Sequence, residues 1–215
     1  VRTRVKICGC ASVADVEVAI QAGADAVGVI LAESSERRVS IERLHEIAQA
    51  VPALIALVAV FVDPPSPLVD EALKVGAIPQ FHGYEDAEAC EAFAAGPYLK
   101  AFHVDRTRVH TAQEFERLAR RFEHATWLFD TAHDGGASGG TGRVFDWEIA
   151  RRLAGSRRFV VSGGLTPGNV GECVRAVRPY AVDVRSGVET HGVKDSAKIR
   201  AFVEAVRAAD AAVPV

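Results

Sequence analysis

Short apolar runs rich in Val, Ile and Phe alternate along the chain with longer stretches whose apolar positions recur at helical spacing. Val5, Lys6 and Ile7 open the series as a strand candidate. Val13, Val16 and Ile20 follow at i, i+3 and i+7, one face of a helix, and Gly23 ends the segment as glycine does at a helix C-terminus. Residues 26–31 (AVGVIL) predict a buried strand. Ser40 then caps a helix carrying Ile41, Leu44, Ile47 and Val51, and residues 54–62 (LIALVAVFV) predict a third strand. Ser66 and Pro67 start a helix, with proline in the first turn where its missing N–H costs nothing.

The cycle continues with strands over 78–81 and 98–104 and a helix over 85–94. Thr111 to Glu114 fits a capping box, leading a helix whose Phe115, Leu118, Ala119 and Phe122 share a face. Residues 126–129 predict a sixth strand, followed by a Gly-rich stretch and a helix over 145–153. Residues 159–161 and 181–184 predict strands seven and eight. A helix from Thr166-Pro167 to Val177 lies between them, and Ile199, Phe202, Val203 and Val206 mark a last helix.

Near-continuous apolar strands joined by helices imply a parallel sheet covered on its outer side. Eight βα units predict a closed (β/α)8 TIM barrel, a single domain over residues 1–215. A doubly wound open sheet is the alternative; against it, no G-x-G-x-x-G follows the first strand. The length of 215 residues suits one barrel domain. A formal charge of −3 without a polybasic block argues against a nucleic-acid partner. No apolar stretch reaches the ~20 residues of a membrane helix, and the first residues lack the core of a signal peptide. Cys8, Cys10, Cys90 and Cys173 are too few for a disulfide framework and point to reduced thiols in a cytoplasmic protein. The C-x-C pair has no second cysteine pair and no close histidine, so no metal is expected there.

In such a barrel, chemistry sits at the C-terminal ends of the strands. That rule selects Cys8, Arg37, Asp63, His82, Asp130, the Ser162-Gly163-Gly164 turn, and Asp183 with Arg185, Ser186 and Gly187. Glycine-rich turns after strands seven and eight are the usual phosphate site of this fold, because backbone N–H groups close on the anion. Tight turns without a ligand are the plainer reading of these glycines. Residues 135–142 form a third Gly-rich loop, either a cover for the substrate or a surface loop. Cys8 and Asp130 belong to non-adjacent strands and would face each other across the mouth, as a base and an acid. By position alone Cys8 also fits as a small core residue. Asp130 needs a partner or water, since a carboxylate ending an apolar strand must be satisfied.

These segments together resemble the phosphoribosylanthranilate isomerase family. Lys6-Ile7-Cys8-Gly9 is similar to the family's opening K-[IV]-C-G, and residues 35–39 to its S-x-R-x-[VI]. Residues 60–62 and 80–83 resemble its V-F-V and Q-L-H-G. Residues 130–131 and 139–147 resemble L-D-[ST] and G-G-[ST]-G-x-x-F-D-W. Residues 162–170, 183–189 and 194–195 resemble S-G-G-L-x-P-x-N-V, D-V-S-S-G-V-E and K-D. The resemblance covers essentially the whole chain in order. It implies a cofactor-free and metal-free Amadori rearrangement of a phosphoribosylamine of anthranilate. It also implies Asp130 as general acid, Cys8 as general base, and Arg37, His82 and Asp183 as substrate contacts. Gly163, Gly164, Ser186 and Gly187 match the phosphate cradle.

The sequence departs from that pattern at Arg185, where the family has Ser, and at Pro79, which removes an N–H from strand four. Two other functions compete. A related barrel isomerase on another phosphoribosyl amine would carry Asp rather than Cys after strand one. A non-catalytic phosphosugar-binding protein would be free to lose Cys8 or Asp130. The expected partner is a small phosphorylated molecule, and the expected state is a monomer or homodimer in the cytoplasm.

Overall fold

The computed structural model describes residues 2–94, 96–104, 112–131, 151–152 and 157–212. Its barrel strands are β1 (Arg4–Cys8), β2 (Ala26–Ile30), β3 (Ala56–Phe61), β4 (Ile78–Phe81), β5 (Tyr98–Val104), β6 (Ala125–Thr131), β7 (Phe159–Ser162) and β8 (Ala181–Val184). They pair in chain order, all parallel, and β1 also pairs with β8, so the sheet closes into the expected barrel. The closing register sets Lys6 opposite Asp183 and Ile7 opposite Val184.

The described helices are α1 (Val13–Ala22), α2 (Ile41–Ala50), α3 (Ser66–Lys74), α4 (Ala87–Ala94), α5 (Ala112–Ala119), α6 (Val170–Val177) and α7 (Ser196–Ala211). Local chemistry sets their ends. Ser12 and Asp15 make a reciprocal capping box at α1, and Gly23 ends it with φ 95°. Asp195 accepts from the backbone N–H groups of Ala197 and Lys198 at the start of α7.

Alternate strand positions face opposite sides. Outward residues such as Ile7, Val27, Phe61, Phe81 and Phe129 join the helices in one large core. The inward face holds two small apolar clusters, Cys8 with Ile30, Ala32 and Val60, and Ala101 with Leu128, Val160 and Ala181. The next inward position toward the mouth is polar on four strands: His103 after Ala101, Asp130 after Leu128, Ser162 after Val160, and Asp183 after Ala181. The period of two thus lifts these four strands from an apolar floor to a polar rim.

Three details differ from the sequence reading. The third strand starts at Ala56, and Leu54 is 97% exposed ahead of it. Leu118 stands half out of the packed face of α5, while Phe115, Ala119 and Phe122 are buried. The helix after β7 starts at Val170, not at Thr166. Asn169 accepts from the Thr166 backbone N–H and donates to the Gly164 carbonyl, which holds residues 164–169 as a turn. Thr111, the Gly-rich residues 135–142, and all but 151–152 of the helix expected over 145–153 fall outside the described residues.

Candidate active site

Of the residues selected from the sequence, Cys8, His82, Asp130, Gly163, Gly164, Asp183, Ser186 and Gly187 line one cavity at the C-terminal mouth of the barrel. Arg37 is not among its lining residues. Its guanidinium NH2 group lies 2.5 Å from Glu189 Oε2, and Glu189 is almost fully buried. Arg185 does line the cavity. The stems of both arginines converge over Gly9, where an added Cβ would sit 3.3 Å from Arg185 Cγ and 3.6 Å from Arg37 Cδ.

Cys8 is buried at the end of β1. Beneath it on the same face, Lys6 Nζ donates to Asp183 Oδ1 at 2.9 Å, with both side chains buried. Burial works against the Lys6 ammonium, but Asp183 and Cys8 together outweigh it and hold the lysine charged. Burial pushes the Cys8 thiol up, and the Lys6 charge pulls the other way without fully compensating. Gly28 on β2 makes room for this pair: a Cβ there would lie 3.0 Å from Cys8 Sγ and 3.1 Å from Lys6 Nζ.

Asp130 stands on β6 with its carboxylate Oδ2 3.0 Å from His82 Nε2. His82 Nδ1 lies 3.2 Å from Nε2 of the buried Gln80, two residues earlier on β4. With the Gln80 amide N–H donating to Nδ1, His82 Nε2 is the nitrogen that carries a proton toward Asp130 Oδ2. His103 Nε2 donates to the His82 carbonyl at 2.9 Å, and the two imidazoles meet edge to face with centroids 4.9 Å apart.

The loops after β7 and β8 form the third part. Gly163 and Gly164 both have positive φ, 85° and 63°. Ser186–Val188 is a single 3-10 turn, and a Cβ on Gly187 would collide with the Leu165 carbonyl oxygen at 1.9 Å. The two loops therefore pack backbone to backbone. Glu189 anchors this edge by accepting from Lys194 Nζ at 2.8 Å as well as from Arg37.

Lys6, Gln80 and His103 were not selected from the sequence as site residues. The signal for Lys6 and Gln80 was present as a polar residue two places before a chosen one on the same strand face. His103 has the same signal two places after Ala101, at the height of Asp130 across the β5–β6 pair.

The family model described as N-(5'-phosphoribosyl)anthranilate isomerase matches residues 5–205. The chain belongs to this family. N-(5'-phosphoribosyl)anthranilate isomerase of Dechloromonas aromatica is 44% identical over 213 residues, covering 97% of this chain and 98% of the relative. The Pseudomonas aeruginosa (strain LESB58) enzyme of the same name is 42% identical, covering 95% of each. Among solved structures, phosphoribosyl anthranilate isomerase from Thermotoga maritima superposes with a TM-score of 0.84 at 34% identity, covering 96% of this chain and 99% of its own. A phosphoribosyl anthranilate isomerase in complex with reduced 1-(o-carboxyphenylamino)-1-deoxyribulose 5-phosphate gives a TM-score of 0.81 at 33% identity, with the same coverage. These phosphoribosylanthranilate isomerases share the closed barrel described above.

Proposed function

We infer that this chain isomerises N-(5'-phosphoribosyl)anthranilate to 1-(2-carboxyphenylamino)-1-deoxyribulose 5-phosphate, a step of tryptophan biosynthesis. One observation carries the reading beyond family membership: Cys8 and Asp130 line the same cavity as the Gly163-Gly164 and Ser186-Gly187 loops. A substrate phosphate held by those loops sets its ribose between the thiol and the carboxyl.

In the proposed mechanism, Asp130 protonates the furanose ring oxygen as the C1′–O bond breaks and the anthranilate nitrogen forms a Schiff base. Cys8 then removes the C2′ proton, and the resulting enolamine tautomerises to the ketone. Nothing is gained or lost overall. Ring opening needs an acid and C–H cleavage a base, so two groups on opposite walls suit the reaction. Lys6 supplies the positive charge against which the Cys8 thiolate forms. Asp183, oriented by Lys6 and by Ser162 Oγ at 3.3 Å, is available to the ribose hydroxyls. Arg37 and Arg185 offer guanidinium groups to the anthranilate carboxylate and the phosphate.

We further propose one domain over residues 1–215, in a monomer or homodimer. A T. maritima relative is described as a dimeric protein from which monomers were generated. The cytoplasm is the proposed location, supported by four unpaired cysteines. No described helix is long and apolar enough to cross a membrane.

The deciding experiment incubates the protein with freshly made phosphoribosylanthranilate and follows loss of its fluorescence. The expected result is rapid loss, abolished in Asp130→Asn. A rate equal to spontaneous decay would reject the reading.

A further inference from the structure

We propose that His82, His103 and Asp130 form a binding site for a divalent transition-metal ion of zinc-like preference, and that its occupancy silences the acid. One ligand atom from each of the three lies within 4.8 Å of the others. Two imidazoles and a carboxylate are a donor set for zinc or cobalt rather than for magnesium or calcium, which take oxygen ligands. Bonds of about 2.0–2.1 Å in a tetrahedron put neighbouring ligand atoms about 3.3 Å apart. His82 Nε2 and Asp130 Oδ2, at 3.0 Å, already stand near that spacing. The rest of the closure, about 1.5 Å at most, lies within the swing of an imidazole about its side-chain torsions.

Each histidine can present a lone pair to an ion. The His82 carbonyl can only accept, so His103 carries its proton on Nε2 and keeps the lone pair on Nδ1. A ligating histidine gives its other N–H to such a partner in most metal sites. His82 has the matching provision. When its Nε2 binds an ion, Nδ1 must carry the proton and needs an acceptor. Gln80 supplies one by turning its amide, and its Oε1 is buried without a hydrogen-bond partner. All three ligands are half-buried and His82, His103 and Asp130 line the cavity, which leaves a fourth position open to water. An ion held there neutralises Asp130 and bars it from donating a proton.

Metal binding stands without the isomerase reading; only the inhibition rests on it, so the two are measured separately. Cobalt(II) alone is titrated into the full chain and followed by its visible d–d absorption. The expected result is one tetrahedral ion per chain, with affinity at least ~10-fold weaker in His103→Ala and His103→Gln. A near-ultraviolet sulfur-to-cobalt band, unchanged affinity in both variants, or no tetrahedral spectrum would overturn the site. In the activity assay, zinc is expected to inhibit the native chain reversibly on chelation. His103→Gln, with each zinc-treated rate taken relative to its own zinc-free rate, is expected to need at least ~10-fold more zinc for half-inhibition. Equal inhibition of this variant overturns the proposed link between occupancy and the acid.

Discussion

Lys6 Nζ donates to Asp183 Oδ1 at 2.9 Å across the β1–β8 seam, and this buried pair lies directly under Cys8. Replacing Lys6 by Met leaves Asp183 buried without its cation, a change that costs about 3–5 kcal/mol. Urea unfolding is expected to show that loss. Cys8 also loses the charge that favours its thiolate, so its alkylation by iodoacetamide is expected to require higher pH than in the native chain. An unchanged alkylation profile would mean that Lys6 does not act on Cys8.

Cys8→Ala and Asp130→Asn are each expected to lower kcat at least ~10²-fold, the usual scale for a positioned acid or base. Circular dichroism should match the native chain in both. Full turnover in both variants would remove these residues from the mechanism.

Gly187→Ala forces a Cβ against the Leu165 carbonyl, a backbone atom that cannot step aside. The two rim loops must then separate. Affinity for the phosphorylated substrate is expected to fall, seen as a KM raised ~10-fold or more, about 1.4 kcal/mol. An unchanged KM would show that these loops do not hold the phosphate.

Arg185 carries a cavity-lining charge beside the Gly163-Gly164 and Ser186-Gly187 loops. Arg185→Ser is expected to raise KM several-fold at low salt with kcat nearly unchanged. The difference from the native chain is expected to shrink as ionic strength rises, because an exposed charge is screened. Equal KM values at low salt would mean that the guanidinium points away from the ligand.

Burial pushes the thiols of Cys10, Cys90 and Cys173 up to about 12 from an ordinary 9.0. A raised folded value gives stability that is whole below pH 9 and is lost as pH climbs toward 12. In that window the unfolded chain releases protons that the folded chain keeps. The slope is about 1.4 kcal/mol per thiol per pH unit. The urea midpoint is therefore expected to fall between pH 8.5 and 10.5, and a flat midpoint would contradict the burial of these thiols.

The barrel was legible because its strands are nearly continuous apolar runs, a pattern that a parallel sheet with covered faces demands. Residues 54–62 show the limit of that signal: Leu54 belongs to the apolar run but sits in solvent before the strand begins. Thr166-Pro167 looks like a helix start, yet Asn169 captures the Thr166 N–H and delays the helix by a turn. Cys8, Asp130 and the glycine loops were legible from strand ends. Lys6, Gln80 and His103 showed as polar positions on the right strand face, but their partners did not, because those depend on which strands stand alongside and register is not written in any one segment.

At the barrel's seam the Thr3 backbone N–H donates to Asp210 Oδ2 at 2.7 Å and its hydroxyl to Oδ1 at 2.8 Å, across 207 positions of sequence. The residue leading into β1 is thus held by α7, while the edge of β1 is covered by β8. During translation β1 has β2 on one side and an open row of backbone groups on the other. Its buried lysine faces no aspartate until β8 leaves the ribosome. Closure of the barrel mouth is for this reason a late step of folding, with Cys8 set in place only when β8 seals against β1.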